Sequence, residues 1–429
     1  MNQLDQLRNL CRSALALSGA KIRKSFETFF IQAMIIYVTS FNRINFSQMA
    51  RLSSSCEQRF RQNFEKEFDW ITFNKFYLSM LPLKRIAIAI DPSYITKSGK
   101  CTPGLSYFWS GAAGMAKLGL EILGFAVVDA DSKDAIALCA KQTFSGKVSK
   151  GRRPDCLQWC KGNNSLIEQY LRAIFDDKDK FLEISQRIVA DAYFSVYPFV
   201  QGVTSMGFDL ISRLHDNASL RYLYAGERTG KRGRPIVYGD KIDVKNPDEK
   251  VFSKEIVTIN NGIEVILQSA IVNSKSLKRN IKLVIASFQE KGKKSQTRKM
   301  FFSTDIDMKA TDIFDIYRTR FQEEFLFRDA KGFMGLEHCQ ARSVNKLNFA
   351  FNMSLSSVNM VKRLAYDMEK DNHIKYSVED MKIMLHNIAL YEEVKLFNGS
   401  EDKRRPSNYL ASNFDIPKHI LLFGVKKPA

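Results

Sequence analysis

The run Arg85-Ile-Ala-Ile-Ala-Ile-Asp91, followed by Pro92, constrains this chain more than any other stretch. Consecutive apolar residues of this kind, stopped by an aspartate and a proline, read as a buried strand of an α/β sheet. A second run, Arg187-Ile-Val-Ala-Asp191, repeats the pattern before a turn-prone segment. In this reading each aspartate closes its strand and emerges at the rim of the sheet, where ligands bind in open α/β folds. Taken singly, either aspartate could equally cap the helix that follows.

A third carboxylate lies in the stretch Tyr317 to Lys331. Read as one helix at ~100° per residue, it puts Tyr317, Arg320, Glu324 and Lys331 at roughly 0°, 300°, 340° and 320°, on one face. The opposite face carries Phe321, Phe325 and Leu326, which would bind the helix to a core. A carboxylate flanked by Arg, Lys and a phenol suits a site that holds a metal and gathers phosphates. The competing reading is a solvated face with ordinary pairing between Arg320 and Glu324. Asp91, Asp191 and Glu324 together are the hard oxygen donors that a pair of Mg²⁺ ions needs, with Mn²⁺ a plausible substitute.

In this order, Asp91 in IAIAIDPSYITKSGK, Asp191 in RIVADAYF and the Tyr-Arg-Glu-Lys segment, the chain resembles the DDE transposases of bacterial insertion sequences, in the insertion-sequence-4-like group with that signature. The resemblance covers roughly residues 84 to 362 and thins at both ends. It implies an α/β fold: an RNase H-like catalytic core interrupted by a β-rich insertion, with an N-terminal helical domain and C-terminal helices. It further implies cleavage at terminal inverted repeats, strand transfer of the 3′ end into target DNA, and C-terminal helices that pair two protomers across two ends. A well-studied branch stacks a flipped base on a Trp of the inserted region. Here the three Trp are Trp70, Trp109 and Trp159, none of them between Asp191 and Glu324. The resemblance also implies a hairpin on the excised end, for which a Phe, Tyr or His would have to replace that Trp.

Composition agrees independently. At 429 residues with 45% hydrophobic content the chain has room for a large core and one or two smaller domains. Its net charge of +19 implies a polyanionic partner. No apolar stretch reaches membrane-spanning length, and the first twenty residues, which contain Asp5, break their apolar runs too early for a signal peptide. The expectation is a cytoplasmic, nucleoid-associated protein. Seven scattered cysteines, of which only Cys156 and Cys160 are close, complete no zinc site. Ser98-Gly99-Lys100 lacks the upstream glycine of a phosphate-binding loop, since Tyr94 stands there, so ATP dependence is not indicated.

Five regions follow. Residues 1–80 read as helical: an apolar helix Ile31 to Ser40, a short one from Gln48 to Leu52 capped by Ser47, and a third from Cys56 to Phe68 carrying Arg59 and Arg61. These make either a DNA-reading helix-turn-helix or a bundle that packs on the core, with Phe60, Phe64 and Phe68 as core residues. Residues 84–214 give the first part of the core, in the order β-β-β-α-β-α-β. Its strands are Arg85 to Asp91, one around Tyr107 to Ala112, Gly119 to Ala130, Arg187 to Asp191 and Phe208 to Leu214. Its helices are Ser165 to Phe175 and Ala192 to Met206. A basic loop, Lys147 to Arg153, is either a DNA-backbone contact or simply solvated. Arg213 is a candidate contact for flanking phosphates.

Residues 215–304 read as short strands with turns, and Arg232-Gly233-Arg234-Pro235 before them either lies in a narrow A·T minor groove or is a basic hairpin. Residues 305–342 carry the Glu324 helix. Residues 343–429 hold helices Val344 to Asp367 and Ser377 to Phe397 and a basic tail; by periodicity alone these helices equally well pack back on the core. The expected partners are DNA ends, target DNA and a second protomer. Two other readings compete: an RNase H-like nuclease or resolvase without strand transfer, and a catalytically silent DNA-binding relative.

Overall fold

The computed structural model describes residues 2–17, 22–99, 101–144, 165–226, 238–259, 263–288, 297–399 and 421. The Lys147 to Arg153 loop, Arg232, Arg234, Cys156, Cys160, Trp159 and the basic tail lie outside these residues.

The apolar run at Arg85 forms β1, Ile86–Thr96, which does not stop at Asp91 but continues through Pro92 for a further half of its length. It pairs antiparallel along its whole length with β3, Met115–Asp129, whereas its parallel neighbour β5, Arg187–Ala190, pairs only Ile88 to Ile90. Beyond Ile90 that side of β1 has no strand partner, which is where a proline is tolerated.

β2, Ser106–Ser110, and β4, Asp134–Thr143, both pair the far edge of β3. β4 is a strand that the pattern reading omitted. β5 pairs parallel with β6, Asp209–Arg213. Helix α6, Leu166–Asp176, is close to expectation, and a short α7, Lys178–Leu182, follows it. The expected helix from Ala192 to Met206 is a 3-10 turn over Ala192–Phe194 and then α8, Tyr197–Ser205, because Asp191 turns the chain and Pro198 starts a new helix.

The strands expected as an insertion continue the same sheet. β7 is Leu220–Leu223, β8 Tyr238–Lys241, β9 Ser253–Ile259, β10 Ile263–Ser274, β11 Arg279–Phe288 and β12 Thr297–Ser303. β12 hydrogen-bonds to β6 through Phe301–Arg213, Phe302–Ser212 and Ser303–Ile211, so one mixed sheet of twelve strands runs through the described residues.

Two further helices were expected as one. α9 is Ala310–Thr319 and α10 is Gln322–Gly332. Between them Arg320 and Phe321 keep helical φ and ψ, but Glu323 and Glu324 donate to Arg320 and Phe321, three residues back instead of four. α10 lies on the sheet with Leu326, Phe327 and Ala330 buried. Phe321 is 48% exposed and meets Phe325 edge to face, so it does not bind the helix to the core as expected. A Cβ on Gly124 would fall 2.4 Å from the Phe327 ring and 2.9 Å from Glu323 Oε1; glycine is what lets α10 approach β3. On the opposite face Tyr170 of α6 donates to Glu121 of β3 at 2.7 Å.

The N-terminal helices are α1, Gln3–Leu17; α2, Lys24–Thr39; α3, Phe46–Arg51; α4, Glu57–Asn63; and α5, Trp70–Lys75. Asn45, not Ser47, caps α3 by accepting from Gln48 N–H, and α4 ends well before Phe68. Phe29, Phe30, Phe60, Phe64, Phe68 and Trp70 form an aromatic cluster around Phe349 of α11, Val344–Asn372. The last described helix is α12, Val378–Gly399.

Every residue of α11 from Phe349 to Val361 is buried, so the middle of the helix is enclosed on all sides, and the stripe of Leu347, Phe351, Leu355, Val358 and Val361 is buried with it. It therefore packs back on the core and is not available to pair protomers through that stripe. It also closes the free edge of β4. Asn348 accepts from Gln142 N–H, Asn352 bonds both N–H and C=O of Ala140, and Asn359 does the same for Ala137. These three positions fall within roughly 40° on the helix, so one face presents amide groups to the backbone groups of an edge strand.

Candidate active site

Asp91 follows Ile90 and Asp191 follows Ala190, the last paired residues of two neighbouring parallel strands. The aspartates thus come together where β5 ends and β1 runs on beside β3. Asp191 Oδ1 accepts from Tyr193 N–H at 2.9 Å, and its carbonyl accepts from Ser212 Oγ of β6 at 2.8 Å, which fixes the turn.

The break between α9 and α10 aims Arg320 at the strand. Its Nη1 lies 3.3 Å from Asp91 Oδ1 and its Nη2 3.2 Å from Glu324 Oε1, so one guanidinium links two of the three carboxylates. Arg320 Nε is buried without a hydrogen-bond partner. The Asp91 carboxyl is pushed up to about 7, chiefly by burial; Asp191 and Glu324 add to the rise, while Arg320 and Lys331 oppose it. The Glu324 side chain is 40% exposed, against 18% for Asp91 and 12% for Arg320.

Around this centre the other expected residues are divided. Tyr317 stacks against Phe301 and under Arg320; burial and Asp191 raise its phenol pKa, while Arg320 and Arg213 lower it. Arg213 ends β6 and pairs with Asp216 at 3.2 Å. Lys331 Nζ donates to the Tyr94 carbonyl of β1 at 2.8 Å, three residues beyond Asp91, and burial lowers its pKa. Arg59 and Arg61 stand apart from this site: Arg59 donates to Ser25 O and to Ser55 Oγ, and Arg61 pairs with Glu57.

Glu323 was not expected. Its side chain is buried beside Gly124, the strand partner of Asp91, with neither carboxylate oxygen hydrogen-bonded among the described residues. Burial, then Asp91, push its pKa well above the usual carboxylate range. The signal was its phase: positions 323, 326, 327 and 330 form the buried stripe of α10, so the acid falls on the apolar face.

Among the described residues no three Asp, Glu, His or Cys side chains stand close enough together to form a ready metal cage. The donor chemistry nevertheless fits a hard divalent cation: Asp91 and Asp191 follow the last paired residues of neighbouring strands, Glu324 is tied to Asp91 through Arg320, and burial, then Asp191 and Glu324, drive Asp91 towards protonation. Arg320 now supplies the positive charge between Asp91 and Glu324; a cation held by both would have to displace it. No helix among the described residues is long and apolar enough to cross a membrane.

Residues 69–258 match a family model described as DDE superfamily endonuclease. The matched span holds Asp91 and Asp191 and stops before Glu324. The match supports a DDE-type transposase family, a nuclease activity and DNA as substrate, and the large mixed sheet with its helices is consistent with a DDE nuclease fold. Nucleases of this type typically use divalent metals. No curated protein matches the chain.

Proposed function

We propose that this chain is a DNA transposase of the insertion-sequence-4-like group, cutting element ends and joining the 3′ strand to target DNA on an RNase H-like core. The observation that carries the reading is the junction of Asp91 and Asp191 on neighbouring strands, with Arg320 tying Asp91 to Glu324. Asp91, Asp191 and Glu324 would hold the metal, which when bound as two Mg²⁺ ions supplies activation of the attacking oxygen and stabilisation of the leaving one. Arg320 and Lys331 hold phosphates of the strand to be cut: both are mostly buried cations beside Asp91. Tyr317, lying among Arg320, Asp191 and Arg213, orients the phosphate through its phenol. Two protomers on paired ends complete the reading.

The test is incubation with the element's terminal inverted repeats and Mg²⁺. Wild type should cut and join. Asp91→Ala, Asp191→Ala and Glu324→Ala should each abolish cleavage while leaving end binding largely intact, and double variants should be scarcely worse than singles because the three act as a unit. A single variant that nicks like wild type removes its residue from the site. The matched model is described as an endonuclease, which favours hydrolysis without strand transfer as the second reading; cleavage with no joined product would select it.

A further inference from the structure

A cavity of about 520 Å³ lies near the far end of β1, lined by Thr96, Lys97 and Thr102 of that strand and the following loop, by Arg43 before α3, and by Gln340 and Arg342 after α10. Three segments distant in sequence therefore place three cations around one opening. Arg43 and Arg342 are exposed and make no hydrogen bond or ion pair among the described residues. Lys97 is 8% exposed, and its Nζ donates to the carbonyls of Glu337 and Cys339, which leaves one N–H free. Glu337 is the nearby acid, and its Oε1 is taken by Thr96 N–H at 2.9 Å.

We propose that this cavity is a second phosphate-holding site for the DNA backbone, outside the carboxylate centre. Held there, a strand would tie the N-terminal helices to the strand that bears Asp91. The proposal rests on DNA as the substrate. Thr96 lies five residues past Asp91 on β1, roughly 17 Å at ~3.3 Å per residue, or about five base steps of a duplex. Thr96 itself alternates to the other face from Asp91, and Lys97, the next residue, returns to the Asp91 side, so through Lys97 one strand can reach both places.

A polynucleotide fits better than a free anion because of what adjoins the cavity. Thr96 pairs Gly119, and Gly119 pairs Ser106, the first residue of β2. From there Tyr107 and Trp109 are 64% and 65% exposed. Their strand partners Leu118 and Ala116 fall on the same side of β3 as Gly124, which is opposite Asp91. Open rings beside a cationic groove, on the catalytic face, are the pairing by which proteins track a nucleic-acid strand.

Cys101 lines the cavity and is an exposed free thiol, so it reports occupancy. The experiment measures alkylation of Cys101 by mass spectrometry, and binding of a short labelled duplex of arbitrary sequence across a salt series. Wild type and an Arg43→Gln/Arg342→Gln variant are compared, with circular dichroism to confirm that the variant is folded. Saturating duplex should protect Cys101 several-fold in wild type and not in the variant, and the salt slope should fall by about two units. The proposal is overturned by duplex binding that leaves Cys101 unprotected, or by an unchanged slope in the variant. It is also overturned if inorganic phosphate protects as well as duplex does, which would assign the cavity to a free anion. Cleavage does not enter this test. A protein that protects Cys101 but cuts no element end would sink the transposase reading and leave this site standing.

Discussion

Glu323 holds a carboxyl in the core with neither oxygen hydrogen-bonded among the described residues. Its pKa is raised in the fold, chiefly by burial, so the folded chain keeps a proton that the unfolded chain gives up as pH rises above the ordinary carboxylate range. Stability from this group is therefore present at low pH and lost as pH rises. Glu323→Gln keeps the shape without the charge, and thermal denaturation at about pH 8 should place its midpoint a few degrees above wild type; an equal or lower midpoint would mean the carboxyl has a partner. Asp91 follows the same sign. With the folded value pushed from 3.8 to about 7, wild type should lose stability across that window by up to about 1.4 kcal/mol per pH unit relative to Asp91→Asn. Parallel curves for the two proteins would show that Asp91 titrates normally. At this scale the meeting of the two aspartates where the pairing of neighbouring strands ends was legible from the strand runs, and the Arg320–Glu324 pair from its four-residue spacing. Glu323 was not, because an apolar pattern with one acid in it reads as an interruption until the helix is seen lying on β3.

The free edge of β4 is closed by side chains of α11, which do what a further strand would do. Asn352→Leu removes both bonds to Ala140 and leaves a buried N–H and C=O without partners, a cost of about 2–4 kcal/mol. Urea unfolding should give a lower midpoint at an unchanged slope; a loss below about 0.5 kcal/mol would mean that water or a shifted helix replaces the amide. Periodicity found α6, α11 and α12 to within a few residues because long helices carry many turns of signal. It fused α9 and α10, since their break contains neither glycine nor proline and changes only which carbonyl each N–H reaches. It ended β1 too early because Pro92 breaks most strands, and the exception depends on β5 stopping beside it. That is a fact about the neighbour, invisible in the strand's own residues.

Across the whole molecule, the N-terminal helices share the aromatic cluster around Phe349 with α11, and one sheet runs from β2 to β8. The regional pattern changes near residues 80 and 215 led to an expectation of separable pieces; sheet pairing and a shared cluster between residues far apart in sequence leave no such trace in local composition. Removing residues 1–80 should expose Phe349 and the side of α11 that faces the N-terminal helices, and the remainder should bind a hydrophobic dye or precipitate. A soluble remainder with a cooperative transition would show that the core stands without those helices.

The asparagine closure also sets an order of events during biosynthesis. β4 emerges roughly 200 residues before α11, and at roughly 5–20 residues per second its outer edge waits for roughly 10–40 s with its N–H and C=O groups open. Neighbouring ribosomes on one message would carry the same open edge at the same time, each a template for the other. The yield of this protein should therefore depend on how sparsely its message is loaded, and on chaperones that occupy the nascent chain until Asn352 and Asn359 arrive.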